Sequence, residues 1–241
     1  MRNNFAEALY KEAKENDKIC VVVADISPAG SMQKFRTEFP DRFINCGVAE
    51  QSMIGIAAGL ALKGFRPFCY TIATFTLYRP FEMVRVDLCY QNLPVTIIGM
   101  GAGAIYSTLG GTHQSIEDIS IAASIPNMKV IAPCDPLEMR EATTWCATKN
   151  NGPLYMRLGK VGEPTFTENA LEKFEFGNIV HRPWGSFENI RSGDGFLVKI
   201  LKIKGAININ YTYIIICKTK SYKEKYDKIF LEMQKSFKKL N

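Results

Sequence analysis

The sequence predicts an α/β fold: a three-layer α/β/α sandwich around a mostly parallel sheet. Over the first 165 residues, short apolar segments rich in β-branched residues alternate with helical segments. Strands that are apolar on both faces need cover on both sides, as a parallel sheet between two helical layers provides. Hydrophobic residues make up 46% of the chain and charged residues 22%, which is typical of a globular protein.

Six strands are predicted from short runs of apolar, β-branched and aromatic residues that are bounded by turn residues. The first run stops at Asp25, and the last run closes the region with Arg157. The predicted strands cover residues 19–24, 43–45, 67–72, 95–98, 128–131 and 154–157. Because ligands of such sheets gather at the carboxyl ends of strands, we expect a functional site in the segments that follow them.

Five helices are predicted between these strands from the spacing of their apolar positions. Phe5, Leu9 and Ala13 share one face of the first helix, and Asp135 stands at the N-cap position of the last one. The predicted helices cover residues 4–16, 50–61, 79–91, 116–123 and 136–147.

Charge and cysteine usage exclude several kinds of function. Residues 1–170 carry 16 Lys and Arg against 17 Asp and Glu, whereas residues 171–241 carry 14 against 7, so the net charge of +6 arises in the second part. Since the first part has no basic face, we expect no nucleic-acid partner. Seven cysteines without a CxxC pair and only two histidines, His113 and His181, favour free thiols over disulfides or a protein-only metal site.

The beginning of the sequence and its apolar stretches bear on localisation. The first residues are polar and amphipathic rather than an apolar leader, and no stretch reaches the roughly 18 apolar residues of a membrane helix. We therefore expect a cytoplasmic protein without a membrane segment.

The pattern changes after about residue 176. Residues 181–204 predict short β segments, 205–220 are β-branched and aromatic, and 221–241 predict a lysine-rich amphipathic helix. We therefore divide the chain into a domain at 1–170, a fragment at 171–204 and a basic tail at 205–241.

The most informative motif surrounds Glu50. This single carboxylate opens an apolar, small-residue helix behind a turn at Gly47. Because an unpaired buried charge is costly, a buried Glu50 indicates a functional residue. The alternative is an acidic residue that the helix dipole favours in the first turn.

Taken together, several segments resemble the pyrimidine-binding domain of the transketolase family of thiamine-diphosphate enzymes. The resemblance covers about residues 1–165, and it depends on the joint order and spacing of the segments. They are residues 23–28, 47–51, 74–78, 111–114, 126–128, 133–135 and Arg157.

The resemblance implies a role for each matching cofactor-binding residue. Glu50 matches the catalytic glutamate that hydrogen-bonds a ring nitrogen of the cofactor's aminopyrimidine, and a carboxylate in an apolar site shares a proton readily with such a nitrogen. Phe75, Tyr78 and Phe81 match aromatic positions that hold this ring, although aromatic residues at helical spacing also form ordinary cores. Asp25 matches an acidic residue near the cofactor, with a turn cap as the alternative.

Two further matches concern the substrate. His113 matches a catalytic histidine that faces the substrate, and it lies in a loop after a strand, where sites concentrate. Arg157 matches an arginine that binds a substrate phosphate, with a salt bridge at a strand end as the alternative. The chain departs from transketolases proper at Gly101-Ala102, at Leu109 and at Ala29, so we do not expect the usual pentose-phosphate pair.

The family's diphosphate-binding motif, Gly-Asp-Gly followed by a distant Asn, is not recognisable. The Gly-Asp-Gly at 193–195 is followed too soon by asparagines and predicts a β-turn. The resemblance therefore implies a split enzyme, in which Mg²⁺ and the diphosphate are held by a separate N-terminal-type subunit, in a dimer or heterotetramer. Residues 181–204 resemble the start of a cupin domain of mannose-6-phosphate isomerase and mannose-1-phosphate guanylyltransferase proteins, without its metal-binding histidines.

The leading hypothesis is a pyrimidine-binding subunit that takes part in transfer of a two-carbon ketol unit between sugars or sugar phosphates. The resemblance further suggests a role in surface-polysaccharide sugar synthesis. The alternatives are the β subunit of a 2-oxo acid dehydrogenase-type enzyme and a non-catalytic remnant or scaffold subunit.

Overall fold

A six-stranded parallel sheet organises the first part of the chain. Its strands lie in the order β2-β1-β3-β4-β6-β5, and every neighbouring pair is parallel. All six predicted strands are present, with ends that differ by two residues at most, which confirms the α/β class. The strands are β1 (Ile19–Val23), β2 (Phe43–Asn45), β3 (Arg66–Ile72), β4 (Thr96–Met100), β5 (Lys129–Ile131) and β6 (Leu154–Leu158).

The structure, a computed structural model, describes residues 1–26, 31–133, 135–160 and 162–165, and after them the backbone of four strands. The chain divides into two units, Met1–Thr165 and Phe166–Asn241. The second unit contains an antiparallel sheet of order β10-β9-β8-β7. Its strands are β7 (Val180–Arg182), β8 (Gly185–Ser192), β9 (Phe196–Lys204) and β10 (Asn210–Cys217).

The sequence predicts β segments where the strands of the second unit lie. Strand β10 lies in the predicted basic tail, and it pairs with β9 of the preceding fragment. The division of the chain at residue 204 stays a prediction. The β-turn predicted at 193–195 and the helix predicted at 221–241 lie outside the described residues.

Helices connect the strands of the first unit. The predicted N-cap is confirmed, because the Asp135 carboxylate accepts hydrogen bonds of 2.9 Å from the backbone N–H groups of Leu137 and Glu138. Within the described residues the α-helices are α1 (Arg2–Glu15), α2 (Ser31–Glu38), α3 (Glu50–Leu62), α4 (Ala73–Leu77), α5 (Phe81–Met83), α6 (Asp118–Ser124) and α7 (Pro136–Thr148). None of these described helices has the length and apolar character needed to cross a bilayer.

The segment after β3 differs from its prediction. The helix predicted over 79–91 is present from Phe81 to Tyr90, as α5 followed by a π-helical stretch from Val84 to Tyr90, whereas α4 ahead of it is absent from the prediction. Pro80 cannot donate a backbone hydrogen bond and its ring crowds the preceding turn, so α4 cannot continue through it. Helix α2 is also absent from the sequence-based prediction.

Both faces of the parallel sheet are covered. Alternate side chains of a strand point to opposite sides, so each face has apolar side chains that pack against helices. On one face, Phe5 of α1 packs on Phe68 and Tyr70 of β3, with ring centroids 6.3 and 5.8 Å apart. On the other face, Val22 and Cys69 belong to the hydrophobic core that includes the buried side of α3. All five residues of β1 and of β4 are buried, which explains their continuous apolar sequences.

The cysteines whose side chains the structure describes are free thiols, as the sequence predicts: Cys20, Cys46, Cys69, Cys89 and Cys146. Burial raises the pKa of Cys20 and of Cys89 to about 12. Burial also raises the pKa of Cys46, which is only half-buried at the end of β2. These thiols therefore stay protonated at neutral pH and act as small apolar side chains.

Gly99 in β4 generates a testable prediction about packing. A Cβ at this position would lie 2.7 Å from two ring carbons of Tyr155, a fully buried residue of β6. Changing Gly99→Ala should displace this ring and lower the free energy of unfolding by about 2–4 kcal/mol, measured by urea denaturation.

The matched control is Gly59→Ala in α3. No atom lies within 4 Å of a Cβ at Gly59, so this change should raise stability by up to about 1 kcal/mol through helix propensity. Equal stability of the two variants would contradict the close packing of Tyr155 on β4.

Candidate functional site

The predicted site segments lie at one edge of the parallel sheet. Asp25 follows β1, Glu50 follows β2, and Phe75 follows β3. Because all strands of this sheet run in the same direction, their carboxyl ends meet at the same edge. The fold therefore brings these segments together, although they are up to 50 residues apart along the chain.

Asn45, the last residue of β2, connects the loops after β1 and β2. Its side-chain oxygen Oδ1 accepts hydrogen bonds from the backbone N–H of Asp25 at 3.1 Å and of Gly47 at 3.0 Å. Gly47 has a φ of 69°, a conformation that favours glycine. Asp25 itself has a φ of 45° and is exposed, and its place near a cofactor stays a prediction.

Glu50 is the first residue of α3 and is 3% exposed. Its burial, expected from the sequence, is confirmed. The positive end of the helix dipole favours a carboxylate at this position, as the alternative explanation states, and a functional role of Glu50 stays a prediction. The helix that follows Glu50 is apolar on its inner side, where three residues are fully buried: Met53, Ile54 and Ala57.

Arg79 supplies the counter-charge of Glu50. Its Nη1 atom donates hydrogen bonds of 2.8 Å to both carboxylate oxygens, and its side chain is 45% exposed. The guanidinium carbon also lies 4.3 Å from the centroid of the Phe75 ring. No sequence motif marks Arg79 as a site residue. The signal that could have found it is that a buried carboxylate requires a cation nearby.

His113 joins this group from the loop after β4. Its ring packs edge-on against Phe75, with centroids 5.1 Å apart, and lies 6.4 Å from the Tyr106 ring. The Thr112 hydroxyl is 3.0 Å from His113 Nδ1. We call Glu50, Arg79, Phe75 and His113 the Glu50 cluster; the structure brings three predicted site residues together around one that was missed.

Tyr78 and Phe81 take part in other contacts. The Tyr78 hydroxyl lies 3.1 Å from Ser115 Oγ and donates a hydrogen bond of 3.0 Å to Glu117. Burial raises the pKa of Tyr78, against the opposing effect of the Ser115 hydrogen bond. Tyr78 and Phe81 also pack against the hydrophobic core, so their contacts are those of the core alternative, and their role in holding a cofactor stays a prediction.

Arg157 forms an ion pair with Asp118. Its Nε lies 3.0 Å from Oδ2 of the fully buried Asp118, without the alignment of a hydrogen bond, and its Nη2 donates to the Ser115 carbonyl at 3.3 Å. The Tyr155 hydroxyl donates to the same Oδ2 at 2.7 Å. Burial, followed by the nearby Asp118 charge, raises the pKa of Tyr155 well above its ordinary value, which keeps this donor protonated.

The contacts of Arg157 match the salt-bridge alternative for this residue. Its side chain is 27% exposed, so part of the guanidinium reaches the surface beside the loop after β4. Phosphate binding by Arg157 stays a prediction. Of the departures from transketolases proper, Ala102 is buried and Leu109 is exposed in this loop, and Ala29 lies outside the described residues.

The Glu50 cluster fits an aminopyrimidine ring. A buried carboxyl group can share a proton with a basic ring nitrogen, and the Phe75 face suits a flat heteroaromatic group. Beside it, the Thr74 hydroxyl is buried without a partner among the described residues, so it is available to a ligand. In the part of the chain that the structure describes, no group of three His, Cys, Asp or Glu side chains could hold a metal ion.

Comparison with known proteins gives a family match over the same region. The family described as "Transketolase, pyrimidine binding domain" matches residues 1–162. The chain is 38% identical over 178 residues to a putative transketolase C-terminal section of Methanocaldococcus jannaschii, covering 73% of this chain and 56% of that protein. It is 39% identical over 175 residues to 1-deoxy-D-xylulose-5-phosphate synthase of Clostridium perfringens strain SM101, covering 73% of this chain and 28% of that protein.

A solved structure gives the same result. A split gene transketolase in an inactive beta4 tetramer is 37% identical with a TM-score of 0.65, covering 74% of this chain and 57% of that chain. The chain therefore spans about a quarter to somewhat over half the length of the relatives that it matches.

The Tyr155–Asp118 hydrogen bond generates a prediction. Changing Tyr155→Phe removes a donor to a fully buried carboxylate, so the free energy of unfolding should fall by about 1.5–3 kcal/mol in urea denaturation. Tyr10→Phe is the matched control, because Tyr10 also donates to a carboxylate, Glu38, but at the surface. This control should cost less than about 1 kcal/mol. A similar loss of unfolding free energy in both variants would show that the buried hydrogen bond stabilises the fold no more than the exposed one.

Proposed function

This chain belongs to the transketolase pyrimidine-binding-domain family, and we propose that it is the pyrimidine-binding subunit of a split thiamine-diphosphate-dependent transketolase-like enzyme. The proposal depends on one observation: Glu50 is a buried carboxylate at the start of an apolar helix, and it lies in the same cluster as the ring of Phe75. An acid and an aromatic face in one place suit an aminopyrimidine, which is both flat and basic.

In this proposal each residue of the Glu50 cluster has a limited task. Thiamine diphosphate supplies, when bound, the carbon nucleophile and electron sink that two-carbon transfer requires. Glu50 shares one proton between a carboxyl oxygen and a ring nitrogen of the pyrimidine, as donor when the carboxyl group is protonated and as acceptor when the ring nitrogen is protonated. Phe75 supports one face of the ring, with Tyr78 and Phe81 behind it, and Asp25 lies toward the cofactor from the loop after β1.

His113 is the residue we assign to the substrate. Its ring lies edge-on against Phe75 and is half-buried, so part of the ring remains accessible. A neutral imidazole can donate or accept a hydrogen bond at a substrate hydroxyl or carbonyl. We propose sugars or sugar phosphates as substrates, with Arg157 at the phosphate end, and a place in surface-polysaccharide sugar synthesis in the cytoplasm.

A second subunit is part of the proposal. The described residues contain no cluster for Mg²⁺, and the matched family is a pyrimidine-binding domain, so we assign the diphosphate and Mg²⁺ to a diphosphate-binding N-terminal-type subunit. Apolar side chains around the start and outer face of α3 are exposed: Val48 by 73%, Ile56 by 37% and Leu62 by 63%. Because these residues lie on and just before the helix that Glu50 opens, they support a subunit contact at α3, in a dimer or heterotetramer.

The proposal predicts that cofactor affinity depends on the partner. In calorimetry with thiamine diphosphate and Mg²⁺, the chain mixed with a diphosphate-binding subunit should bind much more tightly than the chain alone, because the anionic part of the cofactor has its ligands on the partner. Equal affinity with and without the partner would contradict the split site. No binding in either sample would favour a non-catalytic remnant or scaffold subunit.

Glu50→Gln should abolish turnover and leave the fold intact. An amide cannot hold the shared proton as a carboxylate does, so the rate of ketol transfer by the complex should fall by at least about 10²–10⁴-fold, while circular dichroism stays unchanged. Glu82→Gln, a change at an exposed residue paired with Arg85, is the control and should retain activity. Full activity of Glu50→Gln would show that Glu50 is assigned wrongly.

Substrate assays on the same complex separate the two enzyme hypotheses. Transfer between a ketose and an aldose supports the transketolase-like function. Decarboxylation of a 2-oxo acid without ketol transfer would instead support the β subunit of a 2-oxo acid dehydrogenase-type enzyme.

A further inference from the structure

We propose that Arg79 is an internal stand-in for the aminopyrimidine ring, and that the cofactor displaces its guanidinium from Glu50 and Phe75 when it binds. The inference rests on the proposed function, since it concerns the same site. It assigns a role in cofactor binding to a residue that is neither a cofactor ligand nor a substrate ligand in that proposal.

The position of one nitrogen atom is the first argument. Arg79 Nη1 is 2.8 Å from Oε1 and 2.8 Å from Oε2 of Glu50, so it stands in front of the carboxylate, between its two oxygens. An N–H group of a ligand that bonded this carboxylate along the same direction would need the same space. The carboxylate is 3% exposed, so the protein covers most of its other approaches.

The second argument is the aromatic contact. The Arg79 guanidinium carbon lies 4.3 Å from the centroid of Phe75, a distance at which a planar cation covers the ring face. A pyrimidine supported by Phe75 would use a ring face in the same way. The guanidinium thus makes both contacts that the proposed ligand needs, one to a carboxylate and one to an aromatic ring.

The third argument is that Arg79 can leave. Its side chain is 45% exposed, and its hydrogen bonds within the described part of the chain both go to Glu50. Arg42 shows the contrasting case, because its guanidinium bonds the backbone carbonyls of Ala13, Asn16 and Ile19. Arg42 is held in the framework, whereas Arg79 can turn toward solvent once a ligand replaces it at Glu50.

Displacement has a signature that a structural role lacks. In the ligand-free chain, loss of Arg79 leaves a buried carboxylate without its counter-charge and should lower stability. In ligand binding, the same loss removes a competitor and should raise affinity. A residue that only supports the fold of the site would lower both quantities when it is changed.

The first measurement is thermal unfolding of the full chain without ligand. Arg79→Met should lower Tm by about 2–4 °C, and Arg79→Lys, which keeps the charge, should recover part of that loss. In a Glu50→Gln background, Arg79→Met should have a much smaller effect, because the carboxylate is gone. Equal effects in both backgrounds would overturn the pairing on which the proposal depends.

The second measurement is calorimetric titration of the same proteins with thiamine diphosphate and Mg²⁺ in the presence of the diphosphate-binding subunit. Arg79→Met should bind about tenfold more tightly than the wild-type chain, the change expected for one charge-assisted contact that no longer has to be broken. Arg85→Met is the matched control: Arg85 pairs with exposed Glu82 on the same segment, and its loss should leave affinity unchanged.

The outcomes separate this inference from the proposed function. If the wild-type chain binds through Glu50 but Arg79→Met binds equally or more weakly, displacement is wrong and the proposed function stands. If neither protein binds thiamine diphosphate with the partner present, the proposed function fails and the inference fails with it.

Discussion

A carboxylate that is buried at the edge of an apolar sheet has to be balanced by a positive charge, and much of this site follows from that constraint. The structure meets it twice. Glu50 is paired with Arg79, and Asp118 is paired with Arg157; both acids are almost completely buried and both arginines are partly exposed. Each pair also involves an aromatic residue, Phe75 under one guanidinium and Tyr155 as a donor to the other acid. The two acids thereby lie inside the protein while the cationic groups stay near the surface.

The second pair matters to the site because it fixes the loop that carries His113. Arg157 donates to the Ser115 carbonyl, and the Ser115 hydroxyl is in contact with the hydroxyl of Tyr78. Gly103 and Ser115 exchange two backbone hydrogen bonds, of 2.7 and 2.9 Å, across the same loop. Segments after β3 and β4 are therefore held to β6 by one hydrogen-bonded network. Substitution of Asp118 would therefore change the position of the His113 loop through this network. In the described contacts, Asp118 touches neither His113 nor Phe75 directly.

The sequence was sufficient for the sheet and for the burial of Glu50, because both depend on local composition. Continuous apolar runs predict strands buried on both faces, and the single acid in an apolar helix predicts a buried charge. It was insufficient for partners that depend on three-dimensional proximity. Arg79 is 29 residues from Glu50, and Asp118 is 39 residues from Arg157, so no periodicity connects them. Helix α4 was missed because its five residues are too few to show a helical spacing of apolar positions.

Under the proposed function, the same constraint bears on how a pyrimidine-binding subunit folds without its ligand. A site that waits for a basic ring must leave a buried acid, a bare aromatic face and unpaired polar atoms, and each of these is unfavourable in an unoccupied protein. Here the acid and the ring face are both covered by Arg79, a group of the chain itself, while the Thr74 hydroxyl stays without a partner in the described part of the chain. In the proposed displacement, covering the site stabilises the free subunit and weakens binding by the same amount, since the two states share one equilibrium. A subunit whose cofactor is anchored mainly on its partner can tolerate that weakening, because the partner's contacts add to those of the pyrimidine site.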